Sequence, residues 1–78
     1  MKTTTYKKKI EFLKNEIVIY EQKINECNNA LDNNPDSVSM DIISQNKYAY
    51  IASLQKCKNR IDSYENAIKF NELFLTTS

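Results

Sequence analysis

Apolar side chains recur at alternating spacings of four and three residues along nearly the whole chain, and a single proline, Pro35, interrupts the rhythm. Before it the series runs Tyr6, Ile10, Leu13, Ile17, Tyr20, Ile24, Cys27, Leu31. After it the series resumes through Ile43, Lys47, Tyr50, Leu54, Cys57, Ile61, Tyr64, Ile68, Asn71 and Leu75. On an α-helix this spacing sets every member on one narrow stripe, the stripe that a second helix covers. The chain therefore reads as all-α: a coiled-coil-like antiparallel two-helix hairpin, dimerising into a four-helix bundle.

Capping chemistry gives the boundaries of one helical-hairpin domain over 1–78. Thr3, Thr4 and Thr5 precede the first seam residue and can accept hydrogen bonds from first-turn amides, which predicts helix 1 over about 6–32. Lys7, Lys8 and Lys9 would then oppose its dipole. Asn33 can take the left-handed conformation that closes a helix where glycine is lacking. Asn34 suits an N-cap, Pro35 the first helical position and Asp36 a favourable charge in the first turn. Helix 2 is thus expected over about 35–75, after a turn at 33–34. A corner this short forces the two helices antiparallel, although opening it would give a long helix that pairs by domain swapping.

With the corner near Pro35, facing residues should have numbers that sum to roughly 71. Ile10 then meets Ile61, Leu13 meets Cys57, Tyr20 lies near Tyr50, and Tyr6 meets Tyr64. Cys27 and Cys57 fall about 20 Å apart at 1.5 Å per residue, beyond disulfide reach. They are read as small buried hydrophobes in a reducing compartment.

The second helix outruns the first. Residues beyond about Ala67 find nothing opposite them, yet they include Ile68, Phe70, Leu73, Phe74 and Leu75. An exposed patch of that composition marks an interaction site. Phe12 and Ile19, one heptad apart, add a second surface beside the seam, with Val18, Tyr48, Ile51 and Ala52 nearby. The expected partner-binding residues are Phe70, Leu73 and Phe74, with Phe12 and Ile19. Lys47 and Asn71, polar at seam positions, are expected to set register or oligomeric state.

Composition narrows the function. The 78 residues contain no glycine and no histidine, so phosphate-binding loops, nucleophile elbows and dinucleotide fingerprints have no backbone to form on. The commonest general base near neutral pH is missing too. No enzyme activity, cofactor or metal is expected. Net charge is +1, and acidic residues interrupt the basic N-terminal cluster, so nucleic-acid binding through Lys2, Lys7, Lys8 and Lys9 is a minor reading. No stretch of about 18 apolar residues could span a membrane, and the first residues lack the apolar core of a signal peptide. A cytoplasmic location follows as an expectation. Abundant Asn, Lys and Ile with a single Arg fits an AT-rich coding genome, as in low-GC bacteria or their phages.

At Ser44-Gln45-Asn46-Lys47-Tyr48 the chain resembles the Spo0E-like aspartyl-phosphate phosphatases, which carry Ser-Gln-x-Leu-Asp early in the second helix of a short hairpin. The resemblance implies a phosphatase-type regulator, but Lys47 stands for the Leu and Tyr48 for the Asp on which that chemistry relies. In architecture alone the chain is also similar to the secreted WXG100 hairpins, whose turn is Trp-x-Gly where this corner reads Asn-Asn-Pro-Asp. The reading favoured by the residues is a non-enzymatic homodimeric hairpin that binds another protein as an adaptor or stoichiometric inhibitor.

Overall fold

A computed structural model describes residues 2–77, and the side chains of residues 3–74. Two helices follow one another, α1 over Lys2–Asp32 and α2 over Ser37–Thr77. They pack antiparallel into a rod of 63 × 14 × 14 Å. The long dimension is that of α2 itself, since 41 residues rise about 61 Å at 1.5 Å each.

The seam is the core. Ile10, Leu13, Cys57 and Ile61 are buried, and Ile17, Tyr20, Tyr64 and Ile68 pack against them. Every other described member of both series is half-buried, Lys47 and Asn71 included; the Leu75 side chain lies outside the described residues. Two ring pairs fix the register: Tyr6 stacks on Tyr64 with centroids 5.5 Å apart, and Tyr20 meets Tyr50 at 6.4 Å. Both pairs have numbers summing to 70, within one residue of the expected alignment. Lys9 lies over the Tyr64 ring and Lys23 over the Tyr50 ring, so each ring pair carries a cation on its rim.

Three details of the boundaries differ from expectation. Helix α1 begins at Lys2, so Thr3, Thr4 and Thr5 lie within it rather than capping it. Lys7, Lys8 and Lys9 are then past the first turn, where the dipole penalty has largely faded. The extra turn brings helix alongside Ile68, and the overhang shortens. Past Ile68, α2 continues for roughly nine residues, about 13 Å.

At the corner, the left-handed residue is Asn34, with φ of 54°, and not Asn33. Its amide donates to the Leu31 carbonyl at 3.3 Å, the inner bond of a Schellman-type closure. The outer bond of that motif needs the next amide, which Pro35 lacks. A left-handed Asn34 cannot also hold the extended backbone of an N-cap, so that role moves two residues on. The Asp36 carbonyl accepts from Met40 at 2.9 Å, and Pro35 stands just outside α2.

Asn34→Gly should leave the urea midpoint unchanged or raise it slightly, because glycine takes positive φ without a Cβ penalty. Asn34→Val should lower stability by about 1–2 kcal/mol, with both variants keeping wild-type helicity before the transition.

Candidate interaction surface

A rod only two helices wide cannot hide residues that point away from its seam. Phe12, Tyr48, Val38, Leu73, Phe74 and Phe70 are each more than half exposed, as are Ile42 and Val18, while Ile19, Met40 and Ile51 are somewhat less so. Their positions sort into flanks, because residues seven apart keep a constant angle to the seam.

One flank holds both clefts that the two helices line together. The first, about 330 Å³, is bounded by Lys8, Lys9, Phe12, Arg60 and Tyr64. The second, about 180 Å³, lies between Lys23, Glu26, Ala30, Asn46 and Tyr50. Asn46, Arg60 and Phe74 are spaced by two heptads each, so Phe74 continues this flank. Phe70 meets Phe74 edge-on at 4.7 Å, and Ile42 lies four heptads before Phe70. Ile19 follows Phe12 by one heptad. Phe12, Ile19, Phe70 and Phe74 thus fall on one flank of the rod, together with Ile42.

Leu73 belongs elsewhere. It lies on the outer face of α2, opposite the seam, and is 64% exposed. Val18 follows Glu11 by one heptad, on the flank where Lys7, Glu11 and Lys14 line a shallow hollow of α1. Tyr48 and Ile51 stand at nearly the same height on α2, making a short central patch of that second flank.

Val38, Met40 and Ile42 escaped the sequence reading because they precede the first regular seam residue of α2. The signal was available, however: three apolar residues at every second position cannot all face one helix stripe. The basic rim of the first cleft was also missed, since Arg60 and the lysine triplet are fifty residues apart and only the register brings them together.

Around Ser44, Gln45 and Tyr48 the chemistry is modest. Ser44 is half-buried and Gln45 exposed, and the Tyr48 ring is 71% exposed. Among the described residues no group of three or more Cys, Asp or Glu side chains could hold a metal ion. No described helix is long and apolar enough to cross a membrane. Polar contacts on the surface are local, such as Gln55 Nε2 donating to Asn59 Oδ1 at 3.0 Å.

Both cysteines carry free thiols, Cys27 half-buried and Cys57 buried. Cys57 packs in the same layer as Leu13, fourteen residues along α1 from Cys27, which corresponds to about 21 Å. Maleimide should therefore label Cys27 first, at least about tenfold faster than Cys57, because reaction needs an accessible thiolate. Mild oxidation should give no intrachain bridge; a monomer lighter by two hydrogens would contradict this geometry.

Comparison with protein-family models, curated proteins and solved structures finds no match to this chain.

Proposed function

We propose that this chain is a non-enzymatic protein–protein interaction module, a hairpin that self-associates into a four-helix bundle and binds another protein as an adaptor or stoichiometric inhibitor. The observation that carries the reading is the contrast between seam and flanks. Every described seam side chain is buried or half-buried, while large aliphatic and aromatic side chains outside the seam remain 40–71% exposed. Helical side chains of that size, on a rod with few buried residues, gain most by meeting an apolar groove or another helix.

Within this reading Phe70 and Phe74 anchor one end of the flank and Phe12 and Ile19 its middle, while Leu73 adds an anchor on the neighbouring outer face of α2. Aromatic anchors concentrate binding energy because each covers a large area at little cost in side-chain freedom. The paired rings of Phe70 and Phe74 present such a surface in one unit.

The double substitution Phe70→Asp with Phe74→Asp should weaken self-association and partner capture by at least about tenfold. Because both residues are exposed, helicity by circular dichroism should stay near wild type. Light scattering after size exclusion reads the first effect, and affinity capture with the immobilised chain reads the second. If both survive the double change, the assignment is wrong.

A further inference from the structure

A 9.1 kDa protein folded into a compact monomer exposes roughly 4,900 Å². This rod exposes 6166 Å². The excess, on the order of 1,200 Å², exceeds what one partner usually contributes to a standard interface, about 800 Å². It is spread along a rod whose charge is uneven. Segments 2–16 and 54–77, which form the half where the chain ends meet, hold nine basic and five acidic residues. Segment 17–53, the half with the corner, holds two basic and five acidic ones.

The flank bearing Phe12 is also self-complementary in its spacing. The ring pairs set the height of each α2 residue against α1. On that scale Ile42 stands level with Asn28, Lys56 with Lys14, and Phe70 just beyond Lys2. Phe12 and Ile19 lie at equal distances from a point beside Asn15. Phe70 and Ile42 are centred on Lys14. The two pairs, one on each helix, thus share one centre to within about two residues.

We infer that the flank carrying Phe12, Ile19, Ile42 and Phe70 is covered by a second copy of this chain, turned end for end about a two-fold axis near Asn15. That rotation lays α1 on the partner's α1 and α2 on the partner's α2, which sets Phe12 on the partner's Ile19 and Phe70 on the partner's Ile42. It also lays the basic half of each rod along the acidic half of the other, whereas a parallel pair would stack like charges. The closed two-fold arrangement uses the same surface on both copies. This inference rests on the interaction-module reading and specifies the self-association within it.

Two measurements on the full chain test it. With Cys27→Ala and Cys57→Ala as background, a spin label at Ser37→Cys should report an intersubunit distance of about 50–55 Å, since the corners lie near opposite ends of the dimer. A distance under about 25 Å would mean a parallel or domain-swapped dimer and would overturn the arrangement. In sedimentation equilibrium, Phe12→Asp with Ile19→Asp should raise the dimer dissociation constant by about 100-fold or more. The control Val18→Asp with Tyr48→Asp, on the other flank, should change it less than about threefold; a reversed ranking would place the interface there and sink the proposal. A wild-type chain that stays monomeric up to about 1 mM would overturn self-association altogether, and partner capture, scored separately, would then decide the remainder of the proposed function.

Discussion

Everything in this structure depends on the contact between two apolar stripes held in one register. In proteins most helical stability comes from packing an amphipathic face and not from local preference, and for both helices that face is the seam. Here that packing is thin. Four side chains are buried, and none of the described ones is sealed completely. The tyrosine pairs at heights 6 and 20 compensate in part, because each sets one broad ring against another across the seam, stacked in the first pair and tilted in the second. Lys9 and Lys23 extend this by lying over the same rings, an arrangement worth about 0.5–1 kcal/mol at exposed sites.

The seam was fully legible in the sequence because heptad spacing is a direct image of helix geometry. The register was legible to one residue, since only one alignment matches Tyr6 with Tyr64 while also bringing Leu13 to Cys57. What escaped was the local chemistry of the ends. Three threonines before Tyr6 read as caps, but α1 extends to Lys2 and takes them into its first turns. At the corner, Asn33 was expected in the left-handed position and Asn34 as the N-cap, whereas Asn34 takes the positive φ. This closure forgoes its outer hydrogen bond, because Pro35 comes next and has no amide to donate.

The surface was legible in a different sense. Phe12, Ile19, Phe70 and Phe74 stand out from the seam in the sequence, but their common flank emerges only when both helices are aligned. The same alignment separates Leu73 from that group and joins Arg60 to Lys8 and Lys9 around one cleft. A residue's helical phase is local information; which residues of two helices share a flank is a property of the pairing. For this reason the polar rim of the cleft, and the charge difference between the two ends of the rod, could not be assigned from composition, which gives a net charge of only +1.

The placement of the corner has a mechanical consequence. Both described ends of the chain, Lys2 and Thr77, lie at the end of the rod away from Asn34. A pull applied between them would load the seam one layer at a time, beginning with the Tyr6–Tyr64 stack, in the manner of a zip. Each layer would yield separately, at a force far below that needed to slide the two stripes past each other together. A load applied between the corner and either end would instead run along the axis of the one helix that joins them, and be met by that helix's own backbone hydrogen bonds with the other helix braced alongside. The hairpin is therefore compliant to separation of its ends and stiff along its length.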